Sequence, residues 1–130
     1  MPRTPVTSST AAAVGPYSHA IDDGRHVFVS GQTPIDPATG ELHSGDVGDQ
    51  TLQCFDNLFD VLAAADLGAS DVVQVRVYLT DMDDFAAMNA AYATRFEEPY
   101  PARTTIGVAS LPLGAQVEID LVATRDESTR

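Results

Sequence analysis

A chain of 130 residues, 44% of them apolar, has the size and composition of one domain around one core. A net charge of -12 with no basic cluster excludes a phosphate-binding surface, so nucleic acid is not an expected partner. All seven basic residues are arginine, which excludes both a lysine Schiff base with a carbonyl substrate and a nucleotide-binding P-loop lysine.

No apolar run approaches the roughly 20 residues of a membrane-spanning helix, and Met1-Pro2-Arg3-Thr4 opens no secretory signal. The expectation is a single cytoplasmic domain over residues 1–130, with no membrane partner and with residues 1–13 as a flexible, small and polar N-terminal arm. Residues 17–21 and 26–30 flank Asp22-Asp23-Gly24 and read as a hairpin. Residues 31–48 carry Pro34, Pro37, Gly40, Gly45 and Gly48 and read as loop with at most a short edge strand. From Asp49 the period changes: Leu52, Phe55, Leu58, Phe59 and Leu62 recur at helical spacing, and the helix is expected to stop near Gly68.

Residues 72–80 alternate Val73, Val75, Val77 and Leu79 with Gln74, Arg76 and Tyr78, which predicts a strand with one apolar face. The acidic cluster at 81–84 offers N-caps for a second helix striped by Phe85, Met88, Asn89, Tyr92 and Phe96, ended by Pro99 and Pro101. Two strands, 103–109 and 116–124, follow around a turn at Pro112 and Gly114 and read as an antiparallel pair. The sum is an α+β fold whose two helices cover one sheet face. The other face carries Arg76, Tyr78, Glu118, Val122 and part of the first hairpin, and a second copy of the chain is expected to cover it, as dimer or trimer.

Few residues invite chemistry. Arg103 follows Pro101-Ala102, so a stiff approach aims a planar fork suited to a carboxylate; a surface arginine balancing nearby acids is the competing reading. Glu118 lies in the last strand, where a carboxylate could deprotonate water or simply be solvated beside Asp120. Asn89 sits on an apolar helix stripe and either caps backbone or faces a polar site. Tyr17 follows the rigid Gly15-Pro16 turn, and Ser30-Gly31 ends a strand where glycine permits close approach to the backbone. Cys54 is the only cysteine and reads as a packing residue. His19, His26 and His43 lack metal-ligand spacing, so neither metal nor cofactor is expected.

Taken together, Gly15-Pro16-Tyr17-Ser18, Ser30-Gly31-Gln32, Asn89-Ala90-Ala91-Tyr92, Pro101-Ala102-Arg103-Thr104-Thr105 and Val117-Glu118-Ile119 resemble the RidA (YjgF) family of reactive-intermediate deaminases. The resemblance runs from about residue 14 to 123. It implies a chorismate-mutase-like mixed sheet, a homotrimer with sites in the clefts between subunits, and no cofactor or metal. The implied activity is hydrolysis of 2-aminoacrylate-type enamines and imines to 2-oxo acids and ammonia. It assigns reactive roles to Arg103, which holds the carboxylate, Glu118, which positions water, and Tyr17. Ser30, Gly31, Asn89 and Thr105 match pocket-lining positions. Thr105 stands where several members have cysteine, which leaves a backbone role intact but not a thiol one. The alternatives are a non-catalytic carboxylate-binding or regulatory member of the same fold and a deaminase for a larger enamine such as an aminomuconate. A ribonuclease or translation-inhibitor role fits poorly with the net charge of -12.

Overall fold

The computed structural model describes residues 3–8 and 15–125. In chain order, β1 (Thr4–Val6), β2 (Ala20–Asp22), β3 (His26–Gln32), β4 (Ile35–Asp36) and β5 (Glu41–Leu42) precede helix α1 (Val47–Ala64). Strand β6 (Val72–Leu79), helix α2 (Phe85–Ala93), β7 (Ala102–Gly107) and β8 (Val117–Thr124) complete the chain. Six strands form one sheet in the order β1-β2-β3-β8-β6-β7, and β4 with β5 makes a separate small hairpin. The fold is α+β, as the alternation of apolar periods predicts.

Alternation with period two places β8 at the centre of this sheet. Val117, Ile119, Leu121 and Ala123 are buried, while Glu118, Asp120, Val122 and Thr124 between them are half-buried on the other face. The buried set meets Val27 and Val29 of β3, Val75, Val77 and Leu79 of β6, and Phe55, Leu58, Val61 and Leu62 of α1 in one core. The open face aligns Arg76 with Asp120, Tyr78 with Glu118 and Phe28 with Val122. Phe28 is 46% exposed there, and Ile106 of the edge strand 45%.

Three expectations change. The strands at 103–109 and 116–124 are not a hairpin: β7 pairs in parallel with β6, and β8 inserts antiparallel between β3 and β6. The reason is α2, whose packing on the sheet makes β6-α2-β7 a crossover unit that returns the chain in the same direction. The second helix ends at Ala93 rather than at the prolines, where the Thr94 hydroxyl donates to the Ala91 carbonyl at 2.7 Å. The expected N-terminal arm includes a strand, since Thr4–Val6 pairs with Ala20–Asp22; residues 1, 2 and 9–13 of that arm lie outside the described residues. Among the described residues no helix is long and apolar enough to cross a membrane.

The segment between β3 and α1 has only the short β4–β5 ladder of its own and is tied to α1 by side-chain hydrogen bonds. The Asp46 carboxylate accepts from the Asp49 amide at 2.9 Å, and the Asp49 carboxylate accepts from the Asp46 amide, so the helix starts at Val47, two residues before the predicted change of period at Asp49. One turn further on, Gln50 donates to the His43 carbonyl at 3.0 Å and accepts from the Gln116 amide. Asn57, also buried, donates to the Ile35 carbonyl at 2.8 Å and accepts from Gln53. Asn57→Ala leaves the Ile35 carbonyl without its donor, and we expect a loss of about 1–3 kcal/mol in urea denaturation. Gln53→Ala, at a half-buried position, costs about 1 kcal/mol or less in the same measurement.

Candidate functional site

Arg103 enters β7 in register with Val75 of β6, so it leaves the sheet on the helix side. Its guanidinium carbon lies 4.7 Å from the centroid of the Tyr92 ring and 5.6 Å from that of Phe85, both on α2. The comparison with the other arginines is informative. Arg76 pairs with Asp120 at 2.7 Å, Arg95 with Asp56 at 2.6 Å, and Arg125 with Asp22. Among the described residues Arg103 forms no ion pair and no side-chain hydrogen bond. A half-buried guanidinium with open donors has the geometry that suits a carboxylate.

The space it faces is a concavity of about 450 Å³ lined by Asn89, Tyr92, Ala93, Tyr100, Pro101 and Arg103. Asn89 is exposed at this rim rather than buried in the helix stripe, so its amide has no capping duty to perform. Thr105, two residues along β7, points to the same side, and its buried hydroxyl oxygen lacks a partner among the described residues. The aromatic neighbours of Arg103 are functional surroundings that sequence reasoning missed. Phe85 and Tyr92 carried a signal, being seven residues apart on one helix face, but a core stripe explains that spacing equally well.

A second cluster occupies the opposite face. Glu118 pairs across with Tyr78, and the β3–β8 register breaks between Val29 and Gln32, so Ser30 and Gly31 form a bulge beside it. A Cβ on Gly31 would stand 2.5 Å from a Glu118 carboxylate oxygen, so a larger residue there would displace that carboxylate. The Ser30 hydroxyl donates to the Ser18 carbonyl at 2.7 Å, fixing the bulge to the segment that leads into β2. Burial, and then the negative charge of Asp120, pushes the Glu118 carboxyl above its ordinary value. Asp120 is differently employed, accepting from Arg76 at 2.7 Å and from the Tyr78 hydroxyl at 3.0 Å. Glu118 forms no hydrogen bond or ion pair among the described residues, so of the two acids it is the one with lone pairs available. Next to it Ser30, Gly31, Phe28, Arg76 and Asp120 line a concavity of about 340 Å³.

The structure thus gathers the predicted residues into two groups, not one. Arg103, Asn89 and Thr105 meet at the β7 edge on the helix side; Ser30, Gly31 and Glu118 meet on the open face. The hairpin read from the sequence would set the strand of Glu118 beside that of Arg103, but within one chain the two strands are not neighbours. Strand β6 lies between Arg103 and Glu118, and their partners on it, Val75 and Tyr78, are three residues apart, which together put the two backbones about 14 Å apart, and their side chains leave opposite faces. Tyr17 is 43% exposed in the turn leading to β2 and lines neither concavity. Cys54 is buried against the Val117 carbonyl, and burial pushes its thiol well up, which removes it as a nucleophile. Among the described residues no cluster of three potential metal ligands occurs.

Comparison with known proteins agrees across nearly the whole chain. A RutC family protein of Pyrococcus horikoshii is 45% identical over 120 residues, covering 92% of this chain and 95% of its own. A mouse protein named 2-iminobutanoate/2-iminopropanoate deaminase is 41% identical over 117 residues, covering 90% and 87%. The crystal structure of RidA from an Antarctic Psychrobacter superposes with a TM-score of 0.90 at 41% identity, covering 95% of this chain and all of that one. Escherichia coli TdcF, solved with bound serine, superposes with a TM-score of 0.89 at 37% identity, covering 95% and 99%. The family model described as endoribonuclease L-PSP matches residues 7–125, and with these relatives it establishes that the chain belongs to the endoribonuclease L-PSP family, which is the YjgF/RidA family.

Proposed function

We propose that the protein hydrolyses small carboxylate-bearing imines and enamines of the 2-aminoacrylate type to 2-oxo acids and ammonia. The observation that carries this reading is Arg103, a half-buried guanidinium at a concavity with all its hydrogen-bond donors open. A carboxylate held bidentately there fixes the neighbouring imine carbon in place. Glu118, with its raised pKa, takes a proton from water as the oxygen bonds to that carbon. It passes that proton to the imine nitrogen to give the carbinolamine, then takes the hydroxyl proton as the carbonyl forms and delivers it to the departing nitrogen, which leaves as ammonia. An enamine enters the same sequence once its terminal carbon is protonated. The name of the mouse relative, a 2-iminobutanoate/2-iminopropanoate deaminase, supports this substrate class.

The two clusters need a second subunit to act together. Seating the open face of one chain against the β7 edge of another brings Glu118 and Ser30-Gly31 of the first toward Arg103 of the second, and three copies close such a head-to-tail contact into a ring. The half-exposed Phe28 and Ile106 on that face favour the same contact. The 450 Å³ of the Arg103 concavity is roomy for a three-carbon acid, and this favours a larger enamine as the second reading. A coupled assay decides between them: a serine or threonine dehydratase supplies 2-aminoacrylate or its homologue, and loss of the imine signal is followed with and without the protein, beside an aminomuconate-type enamine.

Light scattering is expected to give about three times the 13.8 kDa chain mass; a monomer at micromolar concentration removes the intersubunit site. Arg103→Ala retains fold and assembly and lowers kcat/KM by at least about a hundredfold, since a charge-assisted pair in a pocket contributes several kcal/mol. Near wild-type turnover by the folded variant refutes its role. The pH profile adds a sign. Glu118 acts as its carboxylate, so the rate falls on the acid side through a pKa above the ordinary glutamate value. Glu118→Gln removes that limb together with most of the rate while still binding a stable 2-oxo acid. Asp120→Asn withdraws one of the charges that raises Glu118, so the limb moves to lower pH.

A further inference from the structure

An arginine on an edge strand has to be kept aimed. Its side chain has many rotamers to lose, and a free guanidinium in an acidic chain tends to fold back onto the nearest carboxylate. Pairing with an acid inside the chain would order Arg103 but consume the donors that a ligand needs. The structure holds it differently. The guanidinium carbon lies over the Tyr92 ring at 4.7 Å and over the Phe85 ring at 5.6 Å, contacts that hold the group without an acid taking up its N–H donors.

Tyr92 is suited to this by what lies beneath it. It is 5% exposed, packs edge-on to Phe55 with centroids 5.6 Å apart, and lies 5.0 Å from the Phe96 ring. Phe55 and Phe96 are themselves buried and meet at 5.4 Å. The Tyr92 hydroxyl is closed off from solvent with no partner among the described residues, so it is the ring that serves Arg103 and not the hydroxyl. Phe85, one heptad earlier on α2, lies on the same helix face and completes a shallow aromatic saddle.

We propose that Tyr92 is a positioning residue for the reaction. Its ring, assisted by Phe85, holds the Arg103 guanidinium by its face and presents the planar fork to the carboxylate of the substrate. This assignment rests on the reading of Arg103 as the carboxylate receptor, and the experiment separates the two.

Binding of 2-oxobutanoate, a stable monocarboxylate, is measured by calorimetry on the assembled protein, beside steady-state imine hydrolysis. Tyr92→Leu is expected to weaken binding about five- to thirtyfold, and to act mainly through KM, with the acid limb assigned to Glu118 unmoved. Tyr92→Phe, which keeps the ring, restores affinity to within about twofold of the parent. Phe85→Leu lies at the saddle's outer side and weakens binding about two- to fivefold, which supplies the readout where Tyr92→Leu fails to fold. Parental affinity in the folded leucine variants overturns the assignment, as does a loss in Tyr92→Phe equal to that in Tyr92→Leu. If the parent protein binds 2-oxobutanoate and Arg103→Ala does not weaken it, the carboxylate reading of Arg103 falls first and this assignment with it.

Discussion

The contact between the Arg103 guanidinium and the Tyr92 ring joins the reactive edge of this protein to its core. Below Tyr92 lie Phe55 and Phe59 of α1 and Phe96 beyond α2, a chain of ring contacts with centroids between 5.0 and 6.0 Å. Ring pairs of this geometry lock helix against helix and leave little freedom to the residues above them. The position of α2 follows from that packing, and the position of β7 follows from α2, because a crossover helix packed on the sheet delivers the next strand in parallel beside the last. Arg103 therefore stands at an edge, on the helix side, over rings that cannot move far.

The same crossover separates the chemistry into halves. With β6 between β7 and β8, the Arg103 guanidinium and the Glu118 carboxyl open onto different faces of one sheet. A sheet is too dense for a small molecule to bridge through it, so in the proposed reaction the two act together only across subunits. Phe28, Val122 and Ile106 on the open face are apolar side chains that suit a protein surface better than water. Ionic partners divide along similar lines. Arg76, Arg95 and Arg125 each hold an aspartate of their own chain, while Arg103 holds none among the described residues. Asp120 serves Arg76 and Tyr78, and in doing so supplies the negative charge that, after burial, raises its neighbour Glu118.

Much of this was legible beforehand because it depends on local periods. The alternation through Val117, Ile119 and Leu121 and the helical recurrence of Phe55, Leu58 and Leu62 report burial directly, and burial is what these side chains do. Glycine at the first turn likewise acts through a bond to a residue two positions away. The family resemblance rested on short blocks such as Pro101-Ala102-Arg103-Thr104-Thr105, and it gathered residues that no local rule connects. Three misplacements had one origin: the edge strand at Thr4–Val6, the exposed Asn89 and the broken hairpin of the last two strands each depend on what lies alongside in space.

The amino-acid sequence by itself determined the elements, their apolar faces, the absence of lysine chemistry and the acidic character that disfavours nucleic acid. Tertiary structure alone decided which strands neighbour one another, that Gly31 makes room for the Glu118 carboxylate, and that Arg103 rests on rings rather than on an acid. The physical reason is range. Propensity and periodicity act over a few residues of chain, whereas strand order, the room beside a glycine and the partner of a guanidinium arise from segments tens of residues apart, brought together only when the core closes.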